Sequence, residues 1–447
     1  MLNRKFIYSM DPPKILVGGF GFLILFGAAL LMLPISTLDG NGLSALYALF
    51  TATSATCVTG LVVVDTGSTF TVFGQIVILT LIQVGGLGFM TVATLVAFLL
   101  RKKISLKERL ILQEAFNYIT IEGIVRLVKR VLFFTIVCEG AGGLLLSIRF
   151  AADMPVGKAM YYGFFHAISN FNNAGFDLMG GFRSMTGYVD DPVVVLVISF
   201  LIIMGGIGFV VMNELYEFRR TRRLSLHSKV VLSTTSLLVG LGTLLIFILE
   251  FHNPKTIEPL SWGGKFLGSL YQAVTARTAG SNTLNIGDLT DTTQFLIIFL
   301  MFIGASPGST GGGIKTTTFA TLAGAVLSQI KGKEEVVFFK RRIDYKLIYK
   351  SLTITVSALM VVMFVSIVLT ITESGKGFLM ILFEATSAFA TTGLSMGLTP
   401  DLSPFGKLLI TATMFAGRLG PLTLAIAMTL NRKPDRFRYA EEKIMIG

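Results

Sequence analysis

Charge is what this sequence has least of. Only 14% of its 447 residues are Asp, Glu, Lys or Arg, against about a quarter in a soluble domain, which excludes an ordinary solvated globule. Histidine and cysteine are scarcer still: three histidines (His166, His227 and His252) and two cysteines (Cys57 and Cys138). Both cysteines lie in apolar context, which leaves no basis for a disulfide framework. The histidines are far apart, no H-E-x-x-H occurs and no apolar run carries paired carboxylates. The converging groups an enzyme needs are therefore missing.

What remains is apolar. Hydrophobic residues make up 53% of the chain and the mean hydropathy is +0.73. Runs such as 15–34 and 193–212 reach the roughly 20 residues that cross a bilayer. The chain reads as a polytopic membrane protein. Its first run has a basic start, as a signal peptide would. It is longer than an h-region and continues through Pro34, so it reads as a true span.

The net charge of +12 does not point to nucleic acid, because of where it sits. Stretches 1–14, 101–130, 217–229, 331–350 and 432–443 hold 28 of the 38 Lys and Arg. Segments on the opposite side hold seven, and Arg277, Lys315 and Arg418 lie in apolar surroundings. The Lys/Arg bias places the five stretches, and both termini, in the cytoplasm.

A fourfold repeat organises the apolar runs. Each unit reads as a long helix, a short helix too short to span, and a second long helix. The long helices are expected at 14–34 and 71–100, 127–150 and 193–217, 229–251 and 293–330, and 347–371 and 404–430. The short ones are expected at 43–56, 159–171, 264–276 and 378–389. The corresponding segments are repeat 1 (1–100), repeat 2 with a cytoplasmic loop (101–217), repeat 3 (218–330), repeat 4 with a second loop (331–431) and a tail (432–447). The expected fold is all-α, with eight transmembrane helices in four helix–re-entrant loop–helix repeats around a pseudo-fourfold pore.

A strip ending in glycine follows each short helix. The strips are Thr56-Cys57-Val58-Thr59-Gly60, Phe171-Asn172-Asn173-Ala174-Gly175, Ala276-Arg277-Thr278-Ala279-Gly280 and Phe389-Ala390-Thr391-Thr392-Gly393. Their glycines are 115, 105 and 113 residues apart. Irregular backbone at membrane depth survives only when buried or lining water. Four such strips around one axis would offer a ring of carbonyl oxygens that replaces the hydration shell of an ion such as potassium. The strips share glycine and little else, as expected if backbone supplies the ligands. Paired inverted repeats, the sign of an alternating-access carrier, are not what the charge pattern gives.

Two further features fall inside the apolar runs. The second long helix of repeat 3 is interrupted by Gly304-Ala305-Ser306-Pro307-Gly308-Ser309-Thr310-Gly311-Gly312-Gly313-Ile314-Lys315-Thr316, in which six of thirteen residues are Gly or Pro. A continuous helix is excluded there, and a loop that obstructs the pore as a gate is expected. It is not a phosphate-binding loop, since Ile314 separates Gly313 from Lys315 and no strand precedes it. The clusters Gly85-Gly86-Leu87-Gly88 and Gly205-Gly206-Ile207-Gly208 read as close helix packing. Arg418, in the last span, is expected either to face the pore as a barrier to cations or to pair with Glu139 or Glu250. The Arg277 side chain is expected to point behind its strip.

These residues together resemble the KtrB/KtrD-type membrane subunit of bacterial Ktr potassium uptake systems, within the Trk/Ktr/HKT superfamily. The likeness spans essentially the whole chain. It rests on Ser54–Thr66, on His166–Phe176, on the Arg277-Thr278-Ala279-Gly280 strip, on the glycine-rich interruption and on Gly417-Arg418-Leu419-Gly420-Pro421-Leu422-Thr423. The resemblance implies potassium uptake, with potassium held at Gly60, Gly175, Gly280 and Gly393, a gate at the interruption, and Arg418 as the pore arginine. It further implies a homodimer in the bacterial inner membrane, a cytosolic ring of nucleotide-binding regulatory subunits, and sodium as an activator. Cys57, Ala276 and Ser281 stand where the family often shows Thr, Pro and Phe. The basic loops 219–223 and 340–346 are the expected contacts for the regulatory partner.

Overall fold

The computed structural model describes residues 12–88, 91, 92, 94, 106–116, 124–420, 442 and 445. Repeat 1 holds helices α1 (Pro12–Leu31), α2 (Ala45–Thr56) and α3 (Val72–Leu87). A connecting helix α4 (Leu106–Phe116) leads to repeat 2, with α5 (Ile124–Phe150), α6 (Val156–Phe171), α7 (Pro192–Gly206) and α8 (Phe209–Thr221). Repeat 3 holds α9 (Leu226–Glu250), α10 (Trp262–Thr275), α11 (Asp291–Phe302) and α12 (Thr316–Ile330). A two-residue antiparallel hairpin, β1 (Val337–Phe338) with β2 (Arg341–Arg342), precedes repeat 4. That repeat holds α13 (Tyr345–Thr372), α14 (Phe378–Ala390) and α15 (Pro404–Leu419).

The long first helices and the short ones that follow them lie close to their expected places. The second helices do not. Among the described residues, only the first helix of each repeat is long and apolar enough to cross a membrane in one piece. The expected continuous helix 193–217 is instead two helices bent by 102°. The physical cause is Gly208, held at φ +93°, a conformation that glycine adopts without steric cost. Gly88 and Gly420 end α3 and α15 with φ values of +81° and +83°. The expected remainders, 89–100 and 421–430, fall wholly or largely outside the described residues.

In each repeat the end of the first helix is fastened to the start of the second. In repeat 3, Glu250 Oε1 accepts from the Thr290 N–H (2.9 Å) and hydroxyl (2.8 Å), and Thr290 in turn caps α11. In repeat 4, Glu373 accepts from the Ser403 N–H (3.0 Å), and Ser403 caps α15. Repeat 2 uses an ion pair between Arg149 and Asp191, the N-cap of α7. Repeat 1 uses Thr71, the N-cap of α3, whose N–H donates to the Ser36 carbonyl at 3.0 Å and whose hydroxyl donates to the Ile35 carbonyl at 2.6 Å. Unsatisfied helix-end groups are thereby paired.

Apolar cores lie at the junctions between successive repeats. Leu31, Phe70 and Ile82 pack with Phe165 and Phe176, and Phe209 and Val211 with Tyr271 and Val274. Ile297 and Met301 pack with Phe383 and Phe389, and Phe50 and Leu61 with Ile381 and Met414. Large apolar side chains also face outward on the long helices, among them Phe22, Ile136, Leu244 and Phe364. Lipid solvates them as well as protein does, so close packing rather than water exclusion holds the helices together.

Candidate functional site

A hydroxyl near the end of each short helix fixes the strip that follows. Ser54 Oγ accepts from the Gly60 N–H at 3.1 Å, and Ser387 Oγ from that of Gly393 at 3.1 Å. Ser169 Oγ donates to the Phe176 carbonyl at 2.7 Å, and Thr275 Oγ1 donates to that of Ser281. The strips then share one backbone shape. Val58, Asn173, Thr278 and Thr391, each two residues before its glycine, have φ of +58°, +59°, +70° and +51°. Left-handed backbone at a β-branched residue is a genuine outlier, and strain of this kind clusters at ligand-holding sites.

The glycines close a ring. A Cβ on Gly60 would fall less than 3.0 Å from the Ala174 carbonyl oxygen, one on Gly175 from that of Ala279, one on Gly280 from that of Thr392, and one on Gly393 from that of Thr59. The order runs through repeats 1, 2, 3 and 4 and back to 1. No side chain fits at any of the four positions. Above the ring lies a cavity of about 330 Å³ lined by all four glycines together with Asp65 and Asp177. Asp177 sits in the connection after the second strip, outside the spans. Burial pushes its carboxyl up to about 6, the Met179 N–H pulls it down, and Asp65 adds to the upward push.

The expected strip residues are all gathered here. The hydroxyls of Thr56, Thr59, Thr278, Thr391 and Thr392 are buried without a hydrogen-bond partner among the described groups. Cys57, Ala174, Ala279 and Ala390 are fully buried beside them. The Arg277 side chain lies in a crevice with Ile202, Ile203, Gly206, Val239 and Val274, away from the four glycines.

The interruption in repeat 3 lies against the inner ends of the strips. Its arms are bridged at Ile303 and Ile314, and the Ala305 N–H donates to the Gly312 carbonyl at 3.2 Å. Lys315 Nζ donates to the Gly311 carbonyl at 2.7 Å. The loop is tied to repeat 2 by Ser306 N–H to Gly206 O (2.9 Å), Thr310 N–H to Gly205 O (3.2 Å) and Phe209 N–H to Gly308 O (2.9 Å). Thr310 Oγ1 also donates to Asn173 Oδ1 at 3.0 Å. A Cβ on Gly311 would strike Thr278 Oγ1, and one on Gly312 would strike Thr391 Oγ1. The loop therefore touches the second, third and fourth strips.

Arg418 supplies the link to the first repeat. Its guanidinium donates to the Thr310 carbonyl, to the Gly85 carbonyl at 2.5 Å and to the Gly86 carbonyl at 3.1 Å. The alternative expectation, a salt bridge to Glu139 or Glu250, is not what the structure holds. Glu139 accepts from Gln83 and Asn172, and Glu250 from Asn253, Thr256 and Thr290. Carbonyls at a helix C-terminus carry partial negative charge, and that is what Arg418 meets at the end of α3.

Sequence reasoning missed two things. The hydroxyls behind the strips were one; Ser54, Ser169 and Ser387 each stand six residues before a strip glycine, a spacing that could have revealed them. The other was the spacing Gly85-x-x-Gly88, Gly205-x-x-Gly208 and Gly417-x-x-Gly420. A Cβ on Gly85, Gly205 or Gly417 would collide with the carbonyl of Thr56, Phe171 or Phe389. The close packing expected of the first two clusters is thus packing onto the end of the short helix.

Comparison with known proteins gives the family and the overall fold. The family described as TrkH, cation transport protein, matches residues 4–438. The chain is 48% identical to the Ktr system potassium uptake protein B of Bacillus subtilis (strain 168) over 436 residues, covering 98% of this chain and 97% of that protein. It is 38% identical to the potassium/sodium uptake protein NtpJ of Enterococcus hirae over 452 residues, covering 100% of each. The crystal structure of the potassium transporter TrkH from Vibrio parahaemolyticus is similar in fold, with a TM-score of 0.71 at 19% identity over 92% of this chain and 85% of that one. The chain belongs to the TrkH family of cation transport proteins, within its Ktr branch.

Proposed function

We propose that this protein takes up potassium across the bacterial inner membrane, through a pore whose filter is the ring at Gly60, Gly175, Gly280 and Gly393. The observation that carries this reading is the closure of that ring, each glycine facing a carbonyl of the next strip. Carbonyl rings replace the hydration shell of potassium, and the unpartnered threonine hydroxyls around it are further oxygens for the ion or its water. Asp65 and Asp177 in the cavity above would concentrate cations at the mouth. Relatives named as potassium uptake proteins support the choice of ion. In this reading the four units are pore repeats, eight span positions with both termini cytoplasmic.

The 304–316 loop is the gate and Arg418 its latch and electrostatic barrier. Opening requires the loop to leave the strips, and its bonds to Gly205, Gly206 and Asn173 are those that must break. The protein acts as a homodimer with a cytosolic ring of nucleotide-binding subunits, which meet the basic segments 219–223 and 340–346. Sodium activates uptake. The name of the potassium/sodium uptake relative favours a second reading, in which the same pore also passes sodium.

Growth of a host stripped of its own potassium uptake, at limiting potassium, tests the filter. The host expresses a regulatory subunit with the native chain, Gly60→Ser or Gly393→Ser, at matched membrane levels. Rescue by the native chain that is lost, or shifted toward sodium, in the variants is expected. Rescue unchanged by both substitutions contradicts the filter.

A further inference from the structure

Side chains in the second strip and at the end of α6 before it reach neighbours on both flanks. Asn172 Nδ2 donates to Gln83 Oε1 of repeat 1 at 2.7 Å and, within its own repeat, to Glu139 Oε1 at 3.0 Å. Gln83 Nε2 donates to Glu139 Oε2 at 3.2 Å. Three side chains from α3, α5 and the strip thus close a triangle behind the filter. Asn172 is fully buried and Glu139 is 9% exposed. Toward repeat 3, Asn170 Oδ1 accepts from Ser281 Oγ at 2.6 Å, and Tyr271 OH lies 2.7 Å from the same Oγ. An amide oxygen only accepts, so Ser281 gives its proton to Asn170 and Tyr271 donates to Ser281. The junction of repeats 3 and 4 is apolar by contrast, with the Phe302 and Phe389 rings stacked at 6.4 Å.

A carboxyl group inside a span is costly and marks a role by default. Neither the glycine ring, the gate loop nor Arg418 makes use of Glu139. What it does touch is the residue beside Asn173, which carries the strip's left-handed turn and holds Thr310 of the gate. A carboxylate accepts two hydrogen bonds at once through separate oxygens, and Glu139 uses one for each amide.

We propose that Glu139 is a positioning residue for ion selection. Through Gln83 and Asn172 it fixes the second strip against repeat 1 and so sets the width of the ring. This rests on the filter reading above. An amide at position 139 has one acceptor oxygen and presents an N–H to an N–H, which breaks a side of the triangle. Exchanging the two groups, by Glu139→Gln together with Gln83→Glu, restores all three sides. The carboxylate at position 83 then accepts from Asn172 and from the amide at position 139, whose own oxygen accepts from Asn172.

The test uses the purified full chain in proteoliposomes, with rubidium uptake measured against competing sodium. The native protein, Glu139→Gln, Gln83→Glu, the double variant and Gly60→Ser are compared at equal amounts of folded protein, and the thermal melting of each is recorded beside its uptake. Each single exchange is expected to lower rubidium-over-sodium discrimination roughly tenfold, the scale of one buried polar group left without its partner. The double exchange is expected to return it to within about twofold of native, the coupling a shared network gives. A merely structural carboxylate would move the melting temperature and leave the ratio unchanged. Singles with native discrimination, or a double no better than the singles, overturn the proposal. A native protein that does not prefer rubidium, matched by Gly60→Ser, overturns the filter reading and this inference with it.

Discussion

The second helices of repeats 2 and 3 break in opposite ways. In repeat 2 two residues, Ile207 and Gly208, separate α7 from α8, and one left-handed glycine sets a bend of 102°. In repeat 3 thirteen residues separate α11 from α12. The two breaks are also docked on each other, with Gly205, Gly206 and Phe209 of the corner bonded to Thr310, Ser306 and Gly308 of the loop. A corner made by one dihedral has a single shape. A loop held by separate hydrogen bonds is freed by breaking them, and that is what the proposed gate needs. In the proposed function repeats 1, 2 and 4 supply fixed walls, and repeat 3 supplies the moving part.

The largest expected effect comes from releasing the loop. Its three backbone bonds to repeat 2, the Thr310–Asn173 bond and the Arg418–Thr310 bond contribute about 0.5–1.5 kcal/mol each, more for the charged one. Arg418→Gln removes the charge and loosens the latch, so basal cation flux in proteoliposomes is expected to rise about tenfold, equivalent to about 1.4 kcal/mol. A flux that falls or stays level would make Arg418 a passive strut.

The corner is expected to respond in stability. Gly205→Ala places a methyl against the Phe171 carbonyl, and overpacking of this kind costs about 1–3 kcal/mol. Its thermal melting in detergent should fall, with that of Gly417→Ala beside it. Gly18→Ala, with open space around the Cβ, should melt as the native chain does. Equal melting of all three would remove the close approach from the account.

Much of this comparison was legible in the sequence. Four glycine strips, four short helices and the Gly/Pro-rich interruption stand in register because glycine and proline mark backbone shape directly. The bend at Gly208 was not legible, because the Gly205-Gly206-Ile207-Gly208 cluster reads equally well as close packing along a continuous helix. Side-chain pairing was hidden for another reason. Gln83, Glu139 and Asn172 are tens of residues apart, and only the packing of repeats 1 and 2 brings them together. Arg418 stood out as a charge in an apolar run, yet its carbonyl partners at Gly85, Gly86 and Thr310 carry no signature in residue type.

Smaller effects sharpen the contrast. Thr310→Val removes the hydroxyl bond to Asn173 and leaves the backbone bonds, so basal flux should rise about twofold to fivefold, the size of one net hydrogen bond. The mouth should respond to pH. Asp177, with its carboxyl pushed up to about 6, is ionised above that value and neutral below it. Uptake at subsaturating potassium should therefore fall as the outer pH drops from 7 toward 5, as the cavity loses a negative charge. Asp177→Asn should lower uptake at pH 7 and flatten this dependence; a native-like pH profile in that variant would place the titration elsewhere.

The central claim is that the four glycines surround the ion. Crystals grown with thallium or rubidium in place of potassium, and measured at the anomalous edge, test it directly. A filter at this ring gives an anomalous peak on the axis, enclosed by the carbonyls around Gly60, Gly175, Gly280 and Gly393. A well-ordered crystal with no peak there, or with its only peaks away from the ring, would contradict the claim.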